Sequence, residues 1–158
     1  FPLKPYVVMD ITPNGDVKKK VLSEMARFLT ETAPGATIGV ITRETDVAIH
    51  REALSRYDDV EVDSVQGFQG REKDVIIVSV TNNSHLDDFV TNEDSLCTSL
   101  TRSRKTLIIY GHISSLKNVK HWNSLLKNAK IRGVYVSVAS LGDKDVTKTL
   151  IEFIIKPF

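Results

Sequence analysis

Residues 60–80 read V-E-V-D-S-V-Q-G-F-Q-G-R-E-K-D-V-I-I-V-S-V, and this stretch decides the fold. Its last seven residues, 74–80, are almost continuously apolar and rich in β-branched side chains. A run of that kind and length reads as a strand buried on both faces, which is the habit of parallel sheets. Residues 60–65 form a more polar strand before it. Working outward, residues 6–11 (Y-V-V-M-D-I), 37–42 (T-I-G-V-I-T), 105–110 (K-T-L-I-I-Y) and 134–138 read as further strands. Thr12-Pro13-Asn14-Gly15 marks a turn, and Asp16 can cap the segment that follows. Val17, Val21, Met25, Phe28 and Leu29 recur there at three- and four-residue steps, up to Ala33-Pro34-Gly35. That spacing predicts an amphipathic helix. Residues 45–56, 93–104 and 119–129 carry the same period. Strands alternating with helices predict an α/β domain with a mainly parallel sheet. It is expected over residues 1–140, with 141–158 a tail. Val146, Leu150 and Ile154 there suit either a final helix or a segment draped on a neighbour.

The chain has 158 residues, enough for one domain that folds without disulfides or a structural metal. Its 21 basic and 20 acidic residues leave a net charge of +1. That balance argues against a strongly basic nucleic-acid arm and against an acidic tail, though it leaves room for a local basic groove. The single cysteine, Cys97, excludes an internal disulfide and a cysteine-based zinc finger. An intracellular, reducing compartment, cytoplasm or nucleus, is expected. No apolar run has membrane-spanning length, so no membrane partner is expected. The chain begins at Phe1 rather than Met, which reads as a piece of something longer.

Ligands of open parallel sheets bind beyond the carboxyl ends of the strands, so the residues after each strand matter most. Two polar clusters stand out. In residues 62–74, Gly67 and Gly70 permit tight turns or close ligand approach, and exposed backbone N–H groups can cradle phosphate. Arg71 and Lys73 add positive charge, and Glu72 can accept from a ribose hydroxyl or orient an arginine. The alternative is a loop whose charges pair with one another. In residues 99–105, Arg102, Arg104 and Lys105 form either an anion clamp or a set of cations stabilising a helix C-terminus. Lys18, Lys19 and Lys20 suit a nucleic-acid patch or a solvated helix face.

The order of these clusters resembles motifs V and VI of superfamily 1 helicases, most nearly the up-frameshift and senataxin group. That group's motif V runs V-x-[ST]-V-D-x-F-Q-G-[RQ]-x-K-D into an apolar strand; here it is V-D-S-V-Q-G-F-Q-G-R-E-K-D. Motif VI, R-L-N-V-[AT]-[LI]-T-R-A-[RK], stands here as S-L-C-T-S-L-T-R-S-R. Residues 37–42 resemble the motif IV strand, and residues 107–129 the group's G-x-x…x-W-N-x-L-[LI] segment. The resemblance covers about residues 6–138. Gln66 stands where the family has aspartate, Arg43, Glu44 and Val47 replace P-Y-x-x-Q after motif IV, and Ser95 and Cys97 replace arginine and asparagine in motif VI.

The resemblance implies a RecA-like three-layer sandwich with helices on both faces: the second motor domain of an ATP-dependent RNA or DNA helicase. Arg102 then matches the arginine finger, the catalytic residue of this half. Gln69, Gly70, Arg71 and Glu72 match the nucleotide-facing part of motif V. Thr42, Ser64 and Val65 match positions along single-stranded RNA or DNA. A preceding RecA-like domain of the same chain is the implied partner, holding most of the ATP and Mg2+. No G-x-x-x-x-G-K-[ST] and no D-E-x-x after an apolar strand occur here, so these residues alone are expected not to hydrolyse ATP. The alternatives are a catalytically silent helicase-like scaffold and an unrelated nucleotide-binding module. The latter predicts little contact between Arg102 and the Glu72 loop.

Other candidates have plainer readings. His50, His85, His112 and His121 have no carboxylate at a recognised metal spacing. Cys97 is expected to pack within its helix, and Trp122 in the core beside Leu125 and Leu126. Asp87, Asp88, Glu93 and Asp94 are expected to cap the next helix.

Overall fold

Lys73–Val80 forms the fourth strand, β4, near the middle of a six-stranded sheet. The computed structural model describes residues 1–11, 15–80, 87–137 and 143–156. The other strands are β1 (Tyr6–Asp10), β2 (Ile38–Ile41), β3 (Val60–Asp63), β5 (Ser103–Gly111) and β6 (Tyr135–Ser137). They lie in the order β3-β2-β4-β5-β1-β6, and every pairing is parallel. The helices are α1 (Gly15–Thr32), α2 (Val47–Ala53), α3 (Asp88–Thr91), α4 (Glu93–Leu100), α5 (Lys120–Ile131) and α6 (Asp143–Ile154).

The strand alternation builds two cores. Val75 and Ile77 of β4 face one side with Ile108 and Tyr110, against Val21, Met25 and Leu29 of α1 and Leu150 and Ile154 of α6. Ile76, Val78 and Val80 face the other, with Ile109, against Leu96 of α4 and Trp122, Leu125 and Leu126 of α5. The sheet is thus covered on both faces, the three-layer arrangement expected of a RecA-like domain. The tail forms a helix whose Leu150 and Ile154 join the first core, and Lys4 N–H donates to Ile154 O (2.8 Å).

Several boundaries differ from the sequence reading. Asp16 is the second residue of α1 rather than its cap. The 45–56 segment splits into a 3-10 turn, Glu44–Asp46, and the short α2. The helix expected over 93–104 ends at Leu100, because Ser103 already pairs with Lys73 as the start of β5. Only Arg102 therefore sits by the helix end, while Arg104 and Lys105 are strand residues. The turn at 12–14, His85 and residue 138 lie outside the described residues.

Candidate functional site

The loop between β3 and β4 sets the geometry. Parallel strands oblige it to leave the carboxyl end of β3 and return to the amino end of β4, passing over β2. Phe68 pins the crossing: it is fully buried, and its ring covers Gly39 of β2, where a Cβ would stand 2.8 Å from Cε1. Gly67 lies against the Asp63 carboxylate with no room for a side chain. Gly70 has φ +75°, the left-handed turn that the loop needs before entering β4. The loop therefore visits both ends of the sheet, and the candidate residues divide into two places. The second cluster precedes β5 rather than following a strand, which corrects the expectation that both clusters stand at carboxyl ends.

At the carboxyl ends of β2 and β3, Thr42, Ser64 and Val65 line one cleft of about 290 Å³ with Arg43, Gln66 and Asp87. All three are buried, and among the described residues the Thr42 hydroxyl oxygen has no hydrogen-bond partner. The Ser64 hydroxyl accepts from Gly67 N–H (3.2 Å). Arg43 is buried as well, with Nε 3.0 Å from Asp87 Oδ2 and its guanidinium 5.6 Å from the Phe89 ring centre. Glu44 and Asp88 also border the cleft, leaving its charged lining more acidic than basic.

The amino ends of β4 and β5 hold Gly70, Arg71, Glu72 and Arg102. Arg71 is committed to its own loop. It donates to Gly67 O (2.7 Å), Glu61 (3.1 Å) and Asp63 (2.8 Å), and stacks 4.8 Å from the Phe68 ring centre. Lys73 Nζ pairs with Glu61 at 2.8 Å. Arg104 reaches Asp74 Oδ1 (3.2 Å), Glu72 O (3.2 Å) and Thr37 Oγ1 (3.3 Å). Thr37 N–H donates to Asp74 Oδ2, and this bond, with Arg104 beside it, holds the Asp74 carboxyl below its ordinary range. Arg102 differs. Its guanidinium donates only to neutral oxygens, Thr98 O (3.2 Å) and Thr101 Oγ1 (3.0 Å), and among the described residues it makes no ion pair. Gln69, Gly70 and Glu72 are exposed. Lys73 N–H donates to Arg102 O at 3.0 Å, so the Glu72 loop and Arg102 are in direct contact, against the unrelated-module alternative.

A family model described as an AAA domain matches residues 14–114. The chain belongs to that family. Human "Probable helicase senataxin" is 26% identical over 157 residues, covering 86% of this chain and 6% of its own length. "Regulator of nonsense transcripts 1" of Dictyostelium discoideum is 39% identical over 148 residues, covering 85% of this chain and 11% of its own length. This AAA domain thus spans a small part of the curated relatives that it matches. The solved C-terminal domain of a "possible DNA helicase" from Lactobacillus plantarum WCFS1 superposes with a TM-score of 0.58 at 15% identity, covering 85% of each chain. These findings bear out the resemblance to the second RecA-like domain of a superfamily 1 helicase of the senataxin and up-frameshift group, and the fold expected from it.

Several side chains escaped the sequence reading. Asp10 is buried at the carboxyl end of β1, accepting from Ser114 N–H (3.1 Å) and from the Tyr135 hydroxyl (2.5 Å). Burial first, then Asp10, raises the Tyr135 phenol to about 12. A carboxylate inside an apolar strand was the available signal. His50 is buried with Nε2 2.9 Å from Ser79 Oγ, and His121 Nε2 lies 2.7 Å from Val90 O. Trp122 is in the core, as expected, and donates to Val90 O. Cys97 is exposed rather than packed, and lines the groove between α4 and α5. The acidic residues do stand at helix N-termini, Asp87 and Asp88 at the start of α3 and Glu93 and Asp94 in the first turn of α4, while the side chain that caps α4 is that of Asn92, which accepts from Asp94 N–H. Among the described residues no three His, Cys, Asp or Glu side chains are grouped to hold a metal, and no helix is long and apolar enough to cross a membrane.

Proposed function

We propose that this domain is the C-terminal motor half of an ATP-dependent RNA or DNA helicase, with Arg102 as its arginine finger. One observation carries the reading. Arg71, Lys73 and Arg104 are each neutralised by a carboxylate, whereas Arg102 is held by neutral oxygens and keeps its charge for a ligand. A planar guanidinium donates to two oxygens at once, which suits a phosphate chain. In phosphoryl transfer, negative charge spreads over the γ-phosphoryl oxygens, and a positioned guanidinium stabilises that state more than the ground state. Gln69, Gly70 and Glu72 form the exposed edge beside the nucleotide; Arg71 braces that edge through Gly67, Glu61 and Asp63. In this reading the Mg2+ and most of the ATP are held by a preceding RecA-like domain of the same chain. This domain alone presents one wall of a two-walled site and is inactive by itself.

Thr42, Ser64 and Val65 form the strand track in this reading. The unpartnered Thr42 hydroxyl and the small Ser64 suit sequence-independent backbone contacts to single-stranded RNA or DNA. An intracellular location, in cytoplasm or nucleus, accompanies this activity. The acidic border of the cleft, and Asp87 upon Arg43, favour a second reading: a helicase-like scaffold that keeps the fold without moving along a strand. Strand-stimulated ATP hydrolysis by the protein extended to include the preceding domain separates them. The motor reading expects it, and a folded, silent protein supports the scaffold.

A further inference from the structure

Three cations stand within four residues at the end of motif VI, and their environments are unlike one another. Lys105 lies over the Phe1 ring, 4.9 Å from its centre. Among the described residues the Arg102 guanidinium bonds only neutral oxygens. Arg104 alone reaches across the sheet. Its Nε meets Asp74 at the start of β4, its Nη1 meets Glu72 O in the β3–β4 loop, and its Nη2 meets Thr37 Oγ1 just before β2. Thr37 and Asp74 are also joined twice: Thr37 N–H donates to Asp74 Oδ2 (3.0 Å), and Asp74 N–H donates to Thr37 Oγ1 (2.8 Å). One guanidinium thus gathers the amino ends of β2, β4 and β5. The pairing of β4 with β5 is irregular between Lys73 and Val75, so the regular ladder does not by itself fix this end.

We infer that Arg104 is the positioning residue of the nucleotide edge: through Asp74 and Glu72 O it fixes the Glu72 loop against Arg102. The link is short. Arg104 holds Glu72 O, and the next residue, Lys73, donates its backbone N–H to Arg102 O. Arg102 N–H in turn donates to Ser99 O, tying the finger to the end of α4. Displacing the Glu72–Lys73 backbone therefore displaces the backbone of Arg102. Arg104 does not itself face the phosphates, since its fork is spent on protein oxygens. This inference rests on the finger reading of Arg102.

The test uses the protein extended to include the preceding domain. Arg104→Gln, Arg104→Lys, Asp74→Asn and the Arg104→Gln/Asp74→Asn double variant are compared by ATPase kinetics with single-stranded RNA and DNA. Arg104→Gln is expected to lower kcat about tenfold with KM for ATP nearly unchanged, because the finger is misplaced rather than removed. Arg104→Lys keeps the charge but loses the fork, and is expected to fall between. The double variant is expected to be no worse than the poorer single variant, since the two residues act as a unit. Amide exchange at Lys73 of this chain is expected to quicken in Arg104→Gln, a readout independent of hydrolysis. Melting curves keep misfolding apart from misplacement, and Asp74→Asn tests the same link should Arg104→Gln fail to fold. A raised KM with kcat intact would make Arg104 a direct nucleotide ligand and overturn the inference. Unchanged kcat in folded Arg104→Gln, with Arg102→Ala inactive, overturns it while leaving the finger standing. Unchanged hydrolysis in Arg102→Ala overturns the finger reading and the positioning role with it.

Discussion

The Phe68 ring lies on Gly39: a Cβ added to Gly39 would stand 2.8 Å from Phe68 Cε1 and 2.9 Å from Ile76 Cδ1. The contact turns the middle of the β3–β4 loop into part of the core. It leaves Ser64 and Val65 at one end of the sheet, and Gly70 to Glu72 at the other.

Gly39→Ala is expected to destabilise the fold by about 1–3 kcal/mol through overpacking. Phe68→Ala is expected to cost about 3–5 kcal/mol, the usual loss for emptying a buried aromatic site. Urea unfolding measures both. A neutral Gly39→Ala would show that the ring does not press upon β2.

Asp74 gives a pH dependence with a definite sign. Its carboxyl lies below the ordinary value of 3.8, chiefly through the Thr37 N–H and then through Arg104. A carboxyl lowered by folding contributes stability that is fully present above about 3.8 and is lost as pH falls through the lower folded value. Asp74→Asn is expected to flatten that part of the acid limb in unfolding curves taken between neutral pH and about pH 2. An identical acid limb in the variant would remove Asp74 from the account.

Thr42→Val separates stability from binding. The buried hydroxyl oxygen of Thr42 has no partner among the described residues, so its removal at nearly constant shape is expected to leave stability unchanged or raise it by up to about 1 kcal/mol. Binding of single-stranded oligonucleotides, followed by fluorescence anisotropy, is expected to weaken several-fold in the same variant. Unaltered affinity would take Thr42 off the strand track.

The strands were legible in the sequence because buried parallel strands are written as apolar runs, and 74–80 is such a run. The two faces of β4 followed from simple alternation. Helix ends were less legible: nothing in residues 101–104 forbids a further helical turn, but Ser103 is claimed by Lys73 across the sheet, a partner that no local pattern names. The same reason hid the role of Arg104, whose carboxylate lies thirty positions earlier in the chain and meets it only through the β4–β5 register. Motif spacing singled out Arg102, yet its want of an acidic partner emerged only when the other cations were seen to be paired. Asp10 went unremarked because its partners, Ser114 and Tyr135, come from distant segments.

The central claim is that Arg102 supplies charge to the transition state of ATP hydrolysis. The direct measurement is the strand-stimulated ATPase rate of the protein extended to include the preceding domain, wild type against Arg102→Ala. Among the described residues the Arg102 guanidinium makes no ion pair and bonds only Thr98 O and Thr101 Oγ1, so the variant is expected to melt as the wild type does. Its rate is expected to fall by about 10³–10⁵, the usual worth of such a finger. A folded Arg102→Ala protein that hydrolyses ATP at the wild-type rate would contradict the account.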